Sequence, residues 1–420
     1  MEKISRGDLD RLRDLAKEQV ELANSHDMAN LRDRWERHGN FEPGTSPMIL
    51  IEIDTFEDDI LPPLMECKSS AARELERELL LATINHKLFG DDTIVKDYMP
   101  VKLPTYFIPF GIEVKREFAS DGNNGTGVGH HFIPAINDLE QDFFKLGKSR
   151  YGIDREAFDR SMEYRQNIYG DILPVHREAS VLYCGLTMNI VNIMPMEEMY
   201  ISMYEYPELF HEMMSMLTND YIAFFDFLEN EKVLLPTHGA CRLYQGSYCF
   251  NNELTDRSTG LKTENIWGYT DSQEMTGVSP EMFTQFAAPY YRRIIERYGL
   301  LSYGCCEAVD PLWDSFLSGL QNLRKVSVSQ WVDEVYFGER LVDKNIVYMR
   351  KPTPNLLGVG KELDEQAVLD HINKTVKASK GSHLEIIQRD VYKISNTPDK
   401  VKRYVDLIRS CCEAHINTTL

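Results

Sequence analysis

The chain has 420 residues, of which 43% are hydrophobic, and it carries a formal net charge of −20. The hydrophobic fraction is enough for a large core and argues against a disordered chain. The negative charge argues against a nucleic-acid partner, because phosphate binding needs concentrated Lys and Arg, and it disfavours large polyanionic substrates. The length fits either two average domains or one α/β barrel.

Location and redox state follow from the first residues and from the cysteines. The opening stretch, MEKISRGDLDRLRDL, is too charged for a signal peptide, and no apolar run approaches the roughly 18 residues of a membrane span. Eight cysteines in this length do not form a disulfide scaffold, and adjacent cysteines rarely meet disulfide geometry. We therefore expect a reduced, cytoplasmic protein that does not contact a membrane.

The first half of the chain mixes helical periodicity with short apolar runs and turn signals. Prolines keep one segment extended, and glycines and asparagines mark one loop. In chain order we predict a helix over 7–38, a strand over 46–56, a helix over 67–90, an extended segment over 100–118, a loop over 121–132, a strand over 177–187 and a helix over 206–231.

From residue 265 onward, strand-like and helix-like segments alternate. They are a strand over 265–274, a helix over 279–299, a strand over 300–306, a short helix over 309–320, strands over 324–331 and 345–352, a helix over 363–379, a strand over 383–391 and a helix over 397–415. This alternation predicts right-handed βαβ units and a parallel sheet. The number of units favours a closed (β/α)8 barrel of the TIM type over 46–420, with residues 1–45 as a helical N-terminal extension. A dinucleotide-binding sheet is disfavoured, because no Gly-x-Gly-x-x-Gly follows the first strand.

In a barrel of this type the active site lies at the carboxyl ends of the strands. Polar residues follow most of the predicted strands, although strands also end simply where polarity begins. The residues predicted to be catalytic are Asp271, Glu274, Glu307 and Arg350, and those predicted to bind the substrate are Gln273, Tyr303, Gln330, Lys351 and Gln388. Asp271 and Glu274 would form an acid–base pair. The alternative is that they are only acidic residues near the N-terminus of the helix that begins at 279.

The adjacent cysteines of LLSYGCCEAVD are the most unusual feature at these strand ends. Thiolates bind Zn²⁺, often with imidazole and carboxylate ligands, so Cys305, Cys306 and Glu307 are candidates for a metal site. Neighbouring side chains of a regular strand point to opposite faces, so only one thiol faces the barrel axis unless the chain bends at Gly304. If the pair forms a site, both thiols should be partly exposed with a lowered pKa. Otherwise the two cysteines are small core residues.

Further metal ligands would have to come from elsewhere in the chain. The segment THGACRLYQGSYC offers His238, and the glycine-rich loop offers His130 and His131. Taken alone, each histidine fits a loop residue that bonds to the backbone or to solvent better than it fits a metal ligand. We assign Cys305, Cys306 and His238 to the candidate metal site.

The segment GYTDSQEMTGVSPEMFTQFAAPYYRRIIERYGLLSYGCCE resembles the uroporphyrinogen decarboxylase superfamily. Shared features are an Asp at the strand end, a Ser-Pro-x-x-Phe helix start, and a Pro-Tyr midway along the helix. The family's next strand ends in His-x-Cys-Gly or His-x-x-Gly. Two later segments, IVYMRKPTPNLL and HLEIIQRDV, occupy the places of later family strands. The resemblance is clearest over 200–415, extends back to residue 46, and implies a (β/α)8 barrel.

The superfamily has a decarboxylase branch and a branch of corrinoid-dependent methyltransferases. Decarboxylases carry an Arg-rich RQAGR segment after the first strand, where this chain has the acidic IDTFEDDILPP, which would repel a substrate with eight carboxylates. The methyltransferases bind zinc through His-x-Cys and a distant Cys on the last strand. Here Tyr303 stands in place of the His and Cys305 in place of the first Cys. The last strand has Gln388 and Asp390 but no Cys, so the zinc pattern is partly met.

The resemblance therefore implies an enzyme that moves a methyl group between a small methylated substrate or carrier and cobalamin on a separate corrinoid protein. Zinc and this corrinoid protein are the expected cofactor and partner. Two alternatives stay open. One is a lyase or decarboxylase acting on a small carboxylic acid, held by Arg350, Lys351 and Arg389. The other is a ligand-binding barrel without catalytic activity. The absence of the family's His and of its Cys on the last strand motivates this alternative.

Overall fold

The structure is a computed structural model and describes residues 4–118, 130–255, 257 and 259–417. It is an α/β protein in which helices and short strands alternate. The strands are β1 (Met48–Ile51), β2 (Met99–Lys102), β3 (Thr105–Ile108), β4 (Lys115–Phe118), β5 (His130–Ile133), β6 (Arg150–Ile153), β7 (Val175–Glu178), β8 (Leu182–Tyr183), β9 (Gly239–Arg242), β10 (Tyr248–Cys249), β11 (Trp267–Thr270), β12 (Leu300–Tyr303), β13 (Leu323–Val328), β14 (Val347–Arg350) and β15 (His383–Gln388). The helices are α1 (Arg6–Ala23), α2 (His26–Gly39), α3 (Ser70–Ile84), α4 (Leu139–Asp142), α5 (Arg155–Tyr169), α6 (Leu186–Val191), α7 (Met196–Glu205), α8 (Pro207–Asn230), α9 (Pro280–Phe286), α10 (Ala288–Ile295), α11 (Glu334–Leu341), α12 (Asn355–Gly358), α13 (Glu365–Ala378) and α14 (Pro398–Asn417).

Seven of the strands form one sheet in the order β1-β15-β14-β13-β12-β11-β8, and every pair in it is parallel. The predicted parallel sheet is therefore confirmed, and the pairing of the first strand with the last is the arrangement that a TIM-type barrel requires. Among the described residues, the end strands β1 and β8 each have one strand partner. The eighth strand and the closure of the barrel stay predictions.

Two carboxylates take the place of a strand at the free edge of β1. The backbone N–H of Ile49 donates to Asp92 Oδ2 at 2.7 Å, and that of Ile51 donates to Asp91 Oδ2 at 2.8 Å. Both Asp side chains are buried. The edge of β1 is thereby satisfied, because each of these N–H groups has an acceptor that a neighbouring strand would otherwise supply.

The two faces of the sheet pack against different partners. Ile49, Leu301 and Ile386 face the larger core, which the surrounding helices complete. Met349 and Ile387 face the other way and contact a smaller core that contains aromatic side chains of α2 and of the β9–β10 hairpin. Hence α2 and this hairpin cover the face of the sheet opposite to the helical layer.

Several element boundaries differ from those predicted. The helix expected over 7–38 is two helices, because Ser25 accepts the Met28 N–H and begins α2 as its N-cap. The helix over 279–299 begins at the expected Ser279 cap but breaks at Ala287 (φ −121°), two residues before a proline that has no amide hydrogen. The helix predicted over 309–320 is wrong, since that segment forms two short 3₁₀ turns.

The predicted strands of the main sheet are confirmed as strands, but each is shorter than predicted. Of the strand predicted over 177–187, only β8 joins the main sheet, while β7 pairs with β2. Most of the predicted loop over 121–132 lies outside the described residues. Within the described residues, no helix has the length and apolar character needed to cross a bilayer. The cytoplasmic location stays a prediction.

Candidate active site

Side chains that follow four of the seven strands meet at the carboxyl edge of the sheet. Asp271 follows β11, Glu307 follows β12, Lys351 follows β14 and Arg389 follows β15. The first three are buried although all are ionisable. In barrels of parallel strands, the catalytic residues lie at this edge of the sheet. Clusters of buried ionisable groups are typical of functional sites.

Asp271 has a strongly perturbed carboxyl group. Its Oδ2 accepts a hydrogen bond from the Tyr269 hydroxyl at 2.6 Å, while its buried Oδ1 has no partner among the described residues. Burial, reinforced by the nearby Glu307 carboxylate, raises the pKa of Asp271 to about 7. The carboxyl therefore exchanges a proton near neutral pH, as a general acid or base must.

Glu307 shapes the loop that follows β12. Its carboxylate accepts the backbone N–H of Cys305 at 2.7 Å and that of Ser272 at 3.1 Å, so it ties the ends of β11 and β12 together. The chain reverses at Gly304 (φ +93°), where a Cβ would lie 3.0 Å from Val309 Cγ1. Only glycine fits this turn without strain. Glu307 is a positioning residue in this arrangement, and it supplies part of the field at Asp271.

Gln245, which the sequence analysis did not single out, connects the carboxyl to the cations. Its Nε2 donates to the Tyr269 hydroxyl at 2.9 Å, its Oε1 accepts from Arg389, and its backbone carbonyl accepts from Lys351 Nζ. The residue has a φ of +68° in the turn between β9 and β10. Gln245 thus binds Lys351 through its backbone carbonyl, and through its side chain it binds Arg389 and the Tyr269 hydroxyl that donates to Asp271. The Gln-Gly dipeptide predicts a turn but gives no sign of this role.

The two cations at this edge are in different states. Arg389 lies 3.1 Å from Glu52 and 3.4 Å from Asp390, so its charge is compensated within the site. Burial first and the Arg389 charge second lower the pKa of Lys351 to about 7. Near neutral pH the site therefore holds two groups, Asp271 and Lys351, that each change charge by one proton.

The cysteine pair lies at the mouth of the site. Cys306 is exposed, Cys305 is half-buried, and their sulfur atoms are 3.5 Å apart. The hydrogen bond between them raises the pKa of Cys305 and lowers that of Cys306. The expected partial exposure is confirmed for both thiols, whereas the expected lowered pKa holds for Cys306 and is wrong for Cys305, because one thiol donates to the other.

Other residues predicted for the site face the helices instead. Arg350 pairs with Glu334 at 3.1 Å, and Gln388 accepts from the Tyr404 hydroxyl at 2.5 Å. The remaining placements are these: Tyr303 bonds to Ser272, Glu274 accepts from Thr187, Gln273 is half-buried in a short turn, and Gln330 is exposed. Of the predicted catalytic residues, the structure brings Asp271 and Glu307 together and leaves Arg350 on the opposite face of the sheet.

The candidate metal ligands Cys305, Cys306 and His238 are not brought together. His238 is exposed and adjoins Thr237, whose hydroxyl accepts the Trp267 N–H at the start of β11, so it lies at the amino edge of the sheet. Cys305 and Cys306 lie at the carboxyl edge. Within the described residues, no three His, Cys, Asp or Glu side chains are placed to hold one metal ion. These residues do not fit a tetrahedral zinc site, and we derive no step through zinc.

No family model matches the chain, and no curated protein matches it either. Among solved structures, the chain is similar to a methyltransferase from Methanosarcina mazei, with a TM-score of 0.49 and 13% sequence identity over 92% of this chain and 98% of that one. A likeness of this degree bears on neither chemistry nor ligand, which are argued below from side chains.

Proposed function

We propose that the protein is an enzyme that transfers a methyl group from a small methylated compound to a corrinoid on a partner protein, with Asp271 as the acid. The observation that carries this proposal is the buried Asp271 carboxyl, whose pKa is raised to about 7 and whose Oδ1 is free of partners among the described residues. The methyl-transfer class comes from the sequence resemblance around this residue.

The chemistry asked of this chain is proton supply. A reduced corrinoid on the partner protein would supply the nucleophile for the methyl carbon. As the bond from carbon to oxygen, nitrogen or sulfur breaks, the departing atom gains an electron pair, and the protonated Asp271 carboxyl gives it a proton. The carboxylate then regains a proton from solvent. The Tyr269 hydroxyl stabilises the carboxylate by donating to Oδ2, and Gln245 holds that hydroxyl in place.

The structure does not bring together the three cations that a carboxylate-binding lyase would use to hold its substrate. Of the three cations proposed for it, Arg350 faces the helices and pairs with Glu334, and Arg389 is compensated by Glu52 and Asp390. Lys351 has a lowered pKa and donates to Gln245. No observation at this edge of the sheet favours that second function.

The test is methyl transfer to cob(I)alamin from a panel of O-, N- and S-methyl donors, followed by absorbance. We expect transfer with at least one donor and a loss of about 10²–10⁴-fold in Asp271→Asn, the usual contribution of a general acid. The rate should fall with rising pH through about 7, since the active form carries the proton. Asp159→Asn, at an exposed position of α5, is the matched control. Absence of transfer with every donor, or an unchanged rate in Asp271→Asn, contradicts the proposal.

A further inference from the structure

A second feature of the molecule is a cavity of about 560 Å³ along β8. Leu182 and Tyr183 of β8 form one side, and Thr105–Phe107 of β3 lie on another. A volume of this size is typical of small-molecule sites. Asp271 and Lys351 do not line this cavity, although the rings of its Tyr183 and Tyr244 stack on Tyr269.

Aromatic rings form much of the cavity wall. Tyr183 and Tyr244 have ring centroids 5.1 Å apart, and Phe107 stacks on Tyr221 at 4.1 Å. Tyr244 is 45% exposed, and its ring stacks on that of Tyr269 with centroids 4.9 Å apart. Such walls favour a flat aromatic ligand, because stacked or edge-to-face rings add to the free energy of burial.

The cavity is cationic in a strongly acidic protein. Lys102, Arg177 and Arg242 line it, and the one acidic residue among its lining is Glu178. That carboxylate already accepts from Lys96 Nζ at 2.9 Å through both of its oxygens. The three lining cations are therefore not balanced by the lining itself, in a chain whose net charge is −20.

Arg177 has hydrogen-bonding capacity left over. It donates through Nη2 to the Val233 carbonyl, but its buried Nε–H has no acceptor among the described residues. Burial lowers the pKa of this guanidinium, and the charge of Arg155 lowers it further. An anion beside Arg177 would supply the missing acceptor and reverse this electrostatic penalty.

We propose that this cavity is a binding site for aromatic carboxylates, with the ring against the Tyr183–Tyr244 pair and the carboxylate at Arg177. The aromatic wall selects the flat ring, and the uncompensated cations select the negative charge. The inference concerns binding alone and does not rest on the proposed function, so either can fail while the other stands.

The experiment is a titration of the full chain with 2-naphthoate, followed by calorimetry and by saturation-transfer NMR. We expect a Kd of about 1 mM or tighter, the affinity usual for a ligand of this size. Two probes test the selectivity: 2-naphthamide lacks the charge, and cyclohexanecarboxylate lacks the flat ring. Each should bind about tenfold more weakly or worse, since each loses one of the two interactions.

Variants locate the site. Arg177→Gln and Tyr244→Ala should each weaken 2-naphthoate binding about tenfold or more, because one removes the charge-assisted hydrogen bond and the other an aromatic ring of the wall. The matched controls are Arg160→Gln, at an exposed ion pair on α5, and Tyr204→Ala, at a tyrosine that is 85% exposed on α7. Both controls should bind as the unmodified chain does. Circular dichroism of all four variants separates loss of the site from loss of the fold.

The proposal is overturned by no saturable binding up to about 10 mM, ten times the expected Kd. It is also overturned if 2-naphthamide or cyclohexanecarboxylate binds as tightly as 2-naphthoate, or if folded Arg177→Gln and Tyr244→Ala both retain full affinity. Because Tyr244 is half exposed, its replacement gives a folded variant even if Arg177→Gln disturbs β7.

Discussion

The raised pKa that suits Asp271 for proton transfer also lowers the stability of the folded chain at neutral pH. In the folded chain its pKa is raised from the ordinary 3.8 to about 7 by burial and by Glu307. The unfolded chain therefore loses this proton at lower pH than the folded chain does. Folding becomes less favourable as pH rises from about 4 to about 7, and above that range the penalty stays constant.

Replacing this carboxyl by a neutral amide removes the penalty. A pKa raised from 3.8 to about 7 corresponds to about 4 kcal/mol, and the unpaired amide N–H groups of Asn cost about 1–3 kcal/mol, so we expect Asp271→Asn to gain about 1–3 kcal/mol at pH 8. Most of that gain should vanish at pH 4. Urea unfolding of both proteins at the two pH values measures it. Equal stability at pH 8 would show that Asp271 ionises without penalty in the folded chain.

Cys306 is predicted to be the reactive cysteine of this protein. It is exposed and its pKa is lowered by the hydrogen bond from Cys305, whereas the pKa of Cys305 is raised. The thiolate is the reactive form, so iodoacetamide should label Cys306 first in the native protein at pH 8. Peptide mass spectrometry identifies the site, and Cys306→Ser is the control that should remove the fast phase. Faster labelling of Cys305 would reverse the assigned direction of the hydrogen bond.

At the scale of elements, a buried ion pair connects the sheet to the β9–β10 hairpin. Lys325 of β13 donates to Glu385 Oε1 of β15 at 2.6 Å and to Ser247 at 2.8 Å, and Ser247 donates to the other oxygen of Glu385. Both charged residues are buried, and Lys325, ahead of the other contacts, lowers the pKa of Glu385 to about 2 against the penalty of burial. This stabilisation is present above about pH 4.5 and is lost as pH falls towards 2.

Breaking the pair from one side should cost far more than removing it whole. Lys325→Met leaves a buried carboxylate unpaired and should destabilise the fold by about 3–5 kcal/mol, whereas Lys325→Met with Glu385→Gln should recover much of that loss. Lys402→Met, at an exposed pair with Asp406, should change stability by less than about 1 kcal/mol. Denaturant unfolding at pH 7 measures all three. A double variant less stable than Lys325→Met would show that the pair does not act as one unit.

For the whole molecule, charge decides the kinds of partner. A net charge of −20 repels phosphate chains, and the cationic cavity along β8 is too small to hold a duplex. We expect no complex with duplex DNA or RNA at physiological salt in a gel shift. Repeating the gel shift at about 50 mM salt is the more demanding test, since phosphate contacts strengthen there. A sub-micromolar complex at physiological salt would contradict this expectation.

The order and type of most elements in the second half of the chain could be predicted from the sequence. Apolar runs such as the one before Gly304, and caps such as Ser279, are local signals, and local signals need no knowledge of the fold. The position of Asp271 and Glu307 at one edge followed in turn, because parallel strands bring their carboxyl ends together.

The direction in which each side chain points could not be predicted without the tertiary structure. Strands β12 and β14 are buried on both faces, so their sequences show no alternation from which to tell the site face from the helical face. That is why Arg350 and Lys351, one residue apart, were both assigned to the site, although Arg350 pairs with Glu334 under the helices. Gln245 could not be found at all, because it reaches Tyr269 and Lys351 only after the hairpin folds onto a sheet formed by residues far away in the chain.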